Sequence, residues 1–148
     1  MHHGSIIETD IDNPNSVRAD FVKEIIEKEQ PWTDADFPPV FGSLFKHGSQ
    51  EDQVKYRDKF EWKRITAISE SPKVFADGIS PSDVSQGSLA DCYFLAALSS
   101  MAEFPENIKA LFETKTINSA GIYQINFFIN GLQTSIVVDD YLPVVKGT

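Results

Sequence analysis

The stretch that decides the fold is QGSLADCYFLAAL, residues 86–98. It joins a polar turn, the only cysteine of the chain and an apolar run without Gly or Pro. The segment from Phe94 to Phe104 is built from residues that favour helices, so a helix is predicted there. Gly87 and Asp91 supply turn and helix-start residues just before it. Cys92 is therefore expected in the first turn of this helix.

A cysteine in a first helical turn has the chemistry of a candidate nucleophile. The unpaired N–H groups at a helix start carry partial positive charge, which favours thiolate over thiol. The side-chain amide of Gln86 and the backbone N–H of Cys92 form a candidate pair of donors for the oxyanion that develops in acyl transfer. The alternative is a small buried core residue, which is the commoner role of a lone cysteine among Leu, Phe and Ala. On composition alone that alternative is favoured.

Composition limits the classes of protein to consider. The 148 residues fit one domain or one piece of a larger one, with 41% hydrophobic residues as in ordinary globular proteins. A formal charge of −9 argues against nucleic acid or an anionic membrane as a partner. An acidic surface suits a cation such as calcium, although many proteins are acidic for solubility alone.

The beginning of the chain divides into two parts. Residues 1–5, Met-His-His-Gly-Ser, look like the remnant of an expression tag. Residues 6–31 are predicted to contain an amphipathic helix that starts at Asn13-Pro14 and stops before Pro31. The sequence has no signal-peptide pattern and no apolar run long enough for a membrane span. A single unpaired cysteine fits a reducing compartment, so a cytoplasmic location is expected.

The clearest secondary-structure signal lies near the other end. Two β-rich arms, 122–129 and 132–138, flank Asn130-Gly131, which predicts a two-residue hairpin. A short helix is predicted over 107–112, and the hairpin is expected to pack on the helices near Cys92. Trp62 is interpreted as a core residue, and Lys63 and Arg64 as surface residues.

Carboxylates in loops raise the question of a metal site. Ala76-Asp77-Gly78 followed by Asp83 offers the carboxylate and carbonyl oxygens that hard cations bind. Asp83 is equally compatible with merely capping the loop. Asp34 and Asp36 are ligands by residue type, but solvated turn carboxylates are the commoner case.

Residues 86–98 resemble the active-site segment of the calpain family of cysteine proteases, Gln-Gly-x-Leu-Gly-Asp-Cys-Trp followed by an apolar helix. Ala90 and Tyr93 depart from that pattern, which has Gly and Trp there. WTDADFP (32–38), FEWKRI (60–65) and VVDDYLP (137–143) resemble further calpain segments. The resemblance assigns residues 32–148 to the N-terminal half of a calpain-like protease core.

The resemblance implies a fold and a set of site residues. The expected fold is α+β, the helical N-terminal subdomain of a papain-like cysteine protease, with a central cysteine helix and a C-terminal β-hairpin. Cys92 would be the nucleophile and Gln86 part of the oxyanion hole. A regulatory calcium would be held by the Asp83 carboxylate and the backbone carbonyls of Ala76 and Gly78.

A cysteine protease also needs a base and a group that orients it. In papain-like enzymes the histidine and asparagine lie about 130–150 residues after the cysteine, whereas the residues after Cys92 run only to Thr148 and include no histidine. The resemblance places both residues in a second subdomain, with the protein substrate bound between the halves. These 148 residues are therefore expected to be inactive alone.

Two alternatives to the protease stay open. One is a non-enzymatic calpain-like scaffold or regulatory module, which Ala90 and Tyr93 favour slightly. The other is an unrelated α/β binding domain in which the cysteine is buried.

Overall fold

The computed structural model describes residues 14–44, 57–75, 78–85 and 91–147, with side chains from residue 19 onward. Within these ranges the fold is α+β, with several helices and two small antiparallel sheets. The helices are α1 (Pro14–Glu27), α2 (Phe41–Leu44), α3 (Ile65–Ile68), α4 (Cys92–Ala102) and α5 (Pro105–Leu111), with a 3₁₀ turn at Pro81–Asp83. The strands are β1 (Phe60–Arg64), β2 (Ile122–Ile129), β3 (Leu132–Asp139) and β4 (Tyr141–Val145).

The predicted hairpin is confirmed as the pair β2–β3. Ile129 lies opposite Leu132, and the register continues to Ile122 opposite Asp139. Asn130 and Gly131 both have positive φ, 52° and 80°, as a two-residue turn of the type that matches strand twist requires.

The predicted N-terminal helix is also confirmed, and it covers one face of the hairpin. Val22 of α1 is buried in a cluster with Ala120, Ile122 and Val137. Phe21 packs edge-on against Trp32, with ring centroids 6.4 Å apart. The helix ends at Glu27 rather than at Pro31, because Glu29 already has a left-handed φ of 51°. Asn13, the expected cap, lies outside the described residues.

A second sheet, β1–β4, was not predicted. The expected C-terminal hairpin is not the last element, because β4 follows it and pairs antiparallel with β1, placing Arg64 opposite Tyr141. The segment VVDDYLP contains the end of β3 and the start of β4, and only Asp140 separates the two strands.

The interpretation of Arg64 as a surface residue is wrong. Its side chain is only 19% exposed, and Nη1 lies 2.5 Å from Oδ1 of Asp140, whose side chain is 6% exposed. Nη2 donates to the carbonyl of Trp32 at 2.6 Å and to Thr33 Oγ1 at 3.2 Å. The guanidinium also lies 4.4 Å from the ring centroid of Tyr141. We call Arg64 and these four partners the Arg64 cluster.

Asp34 and Asp139 lie beside this cluster. Asp34 Oδ1 accepts the backbone N–H groups of Asp36 and Phe37, so this carboxylate belongs to a turn, as expected. The expectation that it is solvated is wrong, because Asp34 is only 1% exposed. The N–H of Asp34 donates to Asp139 Oδ2 at 2.9 Å. Asp139 Oδ1 accepts the N–H of Tyr141 at 3.0 Å. These bonds tie the segment after α1 to the junction of the two sheets.

The two central helices contact the hairpin at different places, α4 on the face opposite α1 and α5 near the edge of β2. Phe94 of α4 contacts Phe127 of β2, with ring centroids 6.3 Å apart. Phe112, just after α5, forms an isolated antiparallel bridge with Ile125. The expectation that the hairpin contacts the cysteine helix is therefore confirmed.

Candidate active site

Cys92 is the first residue of α4, as the sequence predicts. The helix starts there because the carbonyl of Asp91 accepts the N–H groups of Phe94 and Leu95, at 2.9 and 3.1 Å. The next ten residues contain no helix breaker. The first four N–H groups of a helix have no partner within it, so the thiol group lies at the partially positive end of α4.

The thiol is accessible, because Cys92 is exposed and forms no disulfide. This excludes the interpretation of Cys92 as a small buried core residue. Tyr93 beside it is 79% exposed, so the position where the calpain pattern has Trp presents an aromatic ring to solvent. An exposed thiol at a helix start has the accessibility that a nucleophile needs.

Asp91 caps the helix only through its backbone. Its side chain makes no capping hydrogen bond, and within the described residues its Oδ1 is buried without a hydrogen-bond partner. This carboxylate is therefore adjacent in sequence to the thiol but does not use the usual N-cap geometry.

Three predicted site residues lie outside or at the edge of the described ranges. Gln86, the predicted oxyanion donor, and Ala76, a predicted carbonyl ligand, lie outside the described residues, as does the loop residue Asp77. Gly78 is described and exposed. The structure therefore places Cys92, Gly78 and Asp83 but does not test the predicted roles.

Asp83 is the third residue of the 3₁₀ turn and completes its capping box, in which Ser80 is the N-cap. Its Oδ2 accepts the backbone N–H of Ser80 at 2.8 Å, and Ser80 Oγ accepts the N–H of Ser82 at 3.1 Å, which is a capping box. A carboxylate has several acceptor positions, so this bond does not by itself prevent coordination of a cation.

The chemistry of the predicted calcium donors is suitable, because all of them are oxygen atoms. Among the described residues, however, no three His, Cys, Asp or Glu side chains are grouped closely enough to hold a metal ion. Asp83 is thus the single carboxylate that the described part of the predicted site provides.

A contact between this turn and the cysteine helix was not predicted from the sequence. The Pro81–Asp83 turn packs on α4, and Ser99 Oγ donates to the carbonyl of Pro81 at 3.4 Å. Ser99 follows Cys92 by seven residues, which puts both on one face of a helix. That spacing is the sequence signal that was available.

A family model described as calpain family cysteine protease matches residues 32–148. The chain belongs to this family. The match contains Cys92, the exposed residue that begins α4. The interpretation as an unrelated domain with a buried cysteine is therefore wrong.

Individual relatives agree with the family model. The chain is similar to Calpain-5 of Caenorhabditis elegans, with 33% identity over 133 residues covering 84% of this chain and 19% of the relative. It is similar to the calpain-type cysteine protease ADL1 of Oryza sativa subsp. japonica, with 35% identity over 125 residues, or 80% of this chain and 6% of the relative. A calpain of Schistosoma mansoni is 32% identical over 130 residues, or 85% of this chain and 16% of the relative. The chain spans less than a fifth of the length of these calpains.

The described residues include no helix with the length and apolar character needed to cross a membrane.

Proposed function

We propose that this chain is the nucleophile-bearing part of a papain-like calpain protease core that cleaves proteins by thiolate attack. The observation that supports this most directly is the exposed thiol of Cys92 at the start of α4. Its Sγ attacks the scissile carbonyl carbon, the carbonyl π electrons move to oxygen, and a tetrahedral intermediate forms. The leaving amine departs with a proton, which gives an acyl-enzyme that water then hydrolyses.

The oxyanion is held by two donors in this proposal. They are the backbone N–H of Cys92, which points out of the helix start, and the side-chain amide of Gln86. The proton of the thiol goes to a histidine that a second subdomain supplies, since no histidine follows Cys92 in these 148 residues. The 148 residues alone are therefore inactive in this proposal. Because a single unpaired cysteine fits a reducing compartment, the proposed place of action is the cytoplasm.

The test combines this chain with the region that follows the matched segment in Calpain-5 of Caenorhabditis elegans, produced separately. We expect hydrolysis of labelled casein by the mixture and by neither part alone, and Cys92→Ser should abolish it. Hydrolysis by the 148 residues alone would contradict the need for a second subdomain. Hydrolysis by the Cys92→Ser mixture would contradict the assigned nucleophile.

A calcium site is the regulatory part of the proposal. The Asp83 carboxylate and the carbonyls of Ala76 and Gly78 would hold the ion, and bound calcium would stabilise the arrangement of the halves. Because one carboxylate binds calcium weakly, we expect the melting temperature of this chain to rise only at millimolar calcium. Asp83→Asn should remove the rise, and magnesium is the control. An equal rise in the Asp83→Asn variant would place calcium elsewhere.

The second candidate is a non-enzymatic scaffold of the same family. The exposed Tyr93, at a position where the calpain pattern has Trp, favours it. A scaffold predicts that the mixture with the second subdomain binds but does not hydrolyse casein. Tyr93→Trp distinguishes the two cases further, because it should raise turnover in the protease and leave a scaffold inactive.

A further inference from the structure

An open groove lies between residues 39–42 and strand β1. Its volume is about 660 Å³, which is the size of ordinary ligand sites in proteins. Its apolar walls include Phe41, Phe60 and Trp62, and Val40 lines it while remaining 51% exposed. These walls belong to the β1–β4 sheet and to the start of α2, whereas the thiol lies on a helix that packs on the hairpin. We call this feature the β1 groove.

The walls of the β1 groove are held by contacts of their own. The N–H of Val40 and the hydroxyl of Ser43 both donate to the carbonyl of Pro38, each at 2.7 Å. The ring of Phe37 packs edge-on against Trp62, with ring centroids 6.4 Å apart. A wall that is already ordered loses little conformational entropy when a ligand binds. The groove is therefore suited to binding without a large rearrangement.

Basic side chains lie at the end of the groove where the sheet begins. Arg57 and Lys146 line the groove, and neither forms an ion pair within the part of the chain that the structure describes. The N–H of Lys146 donates to the carbonyl of Lys59 at 2.9 Å, so these two lysines are neighbours. The ammonium group of Lys59 lies 5.6 Å from the ring centroid of Phe60, which is a wall residue. Three cations are thus gathered at or beside one end of an apolar groove.

Nearby carboxylates do not cancel this charge. Glu61 also lines the groove, but its Oε1 lies 3.1 Å from Nζ of Lys63. Asp58 is next to Arg57 in sequence but does not line the groove. The whole chain has a formal charge of −9, so this local excess of cations is opposite in sign to the chain as a whole. Charge complementarity therefore favours an anionic partner at this place.

We propose that the β1 groove binds an acidic peptide segment of a partner protein. An aromatic or aliphatic side chain of the peptide packs between the apolar walls, and its carboxylates pair with Arg57 and Lys146. Inorganic phosphate satisfies only the charges, because it has no apolar group to bury. This binding uses neither the Cys92 thiol nor a second subdomain, so the inference goes beyond the proposed protease activity and does not depend on it.

The test measures fluorescence anisotropy of a fluorescein-labelled peptide that has phenylalanine and leucine between two runs of glutamate. We expect saturable binding to this chain at micromolar peptide. A peptide with alanine in place of phenylalanine and leucine should bind at least about tenfold more weakly, because it buries less apolar surface. A peptide with lysine in place of glutamate should not bind. Inorganic phosphate should not displace the acidic peptide at concentrations equal to that of the peptide.

Variants of the groove test its location. Arg57→Glu and Lys146→Glu should each weaken binding about fivefold by reversing one charge, and Val40→Asp should weaken it by a similar factor of about five. Lys115→Glu is the matched control, because it makes the same change of charge at an exposed lysine outside the groove, and it should bind as the wild type does. All four positions are exposed, so the melting temperatures should stay close to that of the wild type.

Absence of saturable binding would overturn the proposal, and this measurement on the wild type needs no variant to fold. Equal weakening by Lys115→Glu would also overturn it, because net charge alone would then explain the binding. Equal affinity for the alanine peptide, or displacement by phosphate, would reduce the groove to an anion site without apolar recognition. The failure of the protease proposal has a different signature, namely casein hydrolysis that persists without Cys92. The Cys92→Ser variant should bind the acidic peptide unchanged, so the two results are separable.

Discussion

Two regions of this chain hold its most informative polar side chains, and their surroundings differ in almost every respect. In the Arg64 cluster the guanidinium is mostly buried and bonded to Asp140, to Thr33 and to a backbone carbonyl. At the start of α4 the Cys92 thiol is exposed, and the adjacent Asp91 side chain makes no capping bond. The first region joins elements that are distant in sequence, whereas the second is held by one local helix start.

This difference predicts which substitutions change the free energy of unfolding and which change the reactivity of the thiol. Removing one partner of a buried, hydrogen-bonded ion pair leaves a charge without compensation, which is strongly destabilising. Removing an exposed side chain loses little packing, since few atoms surround it. Substitutions in the Arg64 cluster should therefore change the free energy of unfolding, and substitutions at Cys92 should change reactivity alone.

The largest effect is expected for Gly121→Ala, which inserts a methyl group into the Arg64 cluster. Gly121 has a φ of 63°, and an added Cβ would lie 2.5 Å from Asp140 Oδ1 and 2.6 Å from Arg64 Nη1. The strained φ costs about 1 kcal/mol and displacement of the ion pair about 3 kcal/mol, so a loss of roughly 4 kcal/mol is expected. Urea denaturation measures it.

Gly131→Ala is the matched control for this substitution. Gly131 also has a positive φ, 80°, but no atom lies within 4 Å of the position of an added Cβ. Its loss should be limited to about 1 kcal/mol. Equal losses in the two variants would show that backbone strain alone, and not the Arg64 cluster, makes position 121 sensitive.

Arg64→Met is expected to cost about 3 kcal/mol, because Asp140 would remain buried without its partner. Lys28→Met is the control, since it removes the exposed pair between Lys28 and Glu24 and should give no measurable change. Arg64→Met combined with Asp140→Leu should recover part of the loss. If the double variant is as unstable as the sum of the single variants, the pair does not carry the coupling assigned to it.

A smaller effect is expected from the pH dependence of the same region. Burial raises the pKa of Asp139, and the nearby Asp34 carboxylate raises it further, against the opposing effects of two backbone N–H bonds and of Arg64. The folded state then binds more protons than the unfolded state above about pH 4, the ordinary range for Asp. The contribution of Asp139 to stability is therefore largest in acid and is lost as the pH rises through its raised pKa.

Asp139→Asn tests this sign. Other carboxylates contribute their own pH dependence, so the quantity to compare is the difference in unfolding free energy between wild type and variant at each pH. That difference should favour the wild type most at low pH and should decrease as the pH rises. A difference that grows with pH would mean that the pKa of Asp139 is lowered by folding, and that the carboxylate is a net stabilising charge.

The contrast between contacts that are local in sequence and contacts between distant segments also explains which features could be predicted from sequence. The hairpin and the start of α4 follow from short-range signals, namely Asn130-Gly131 between β-rich arms and a helix-forming run after Asp91. The role of Arg64 could not be predicted in this way, because its partners come from Trp32–Thr33 and Asp140–Tyr141, far away in sequence. The β1–β4 sheet was missed for the same reason, since its strands are separated by both central helices.

At the candidate site, too, local features could be predicted from sequence and tertiary contacts could not. The position of Cys92 in the first turn of α4 is a local property, and this prediction is confirmed. Its exposure depends on tertiary packing, and composition alone favoured a buried residue. The hydrogen bond between Ser99 and Pro81 is tertiary, and only the seven-residue spacing from Cys92 hinted at it. The roles of Gln86, Asp83, Ala76 and Gly78 stay predictions.

The smallest effect on stability is expected for Cys92→Ser. The thiol is exposed and makes no disulfide, so replacing sulfur with oxygen should change the free energy of unfolding by less than about 0.5 kcal/mol. Labelling by iodoacetamide should nevertheless disappear completely, because Cys92 is the only cysteine. Leu98→Ser, on the partly buried side of the same helix, is the comparison and should destabilise measurably. A loss at Cys92 as large as the loss at Leu98 would mean that the thiol packs against structure, and the contrast between a stabilising cluster and an accessible nucleophile would not hold.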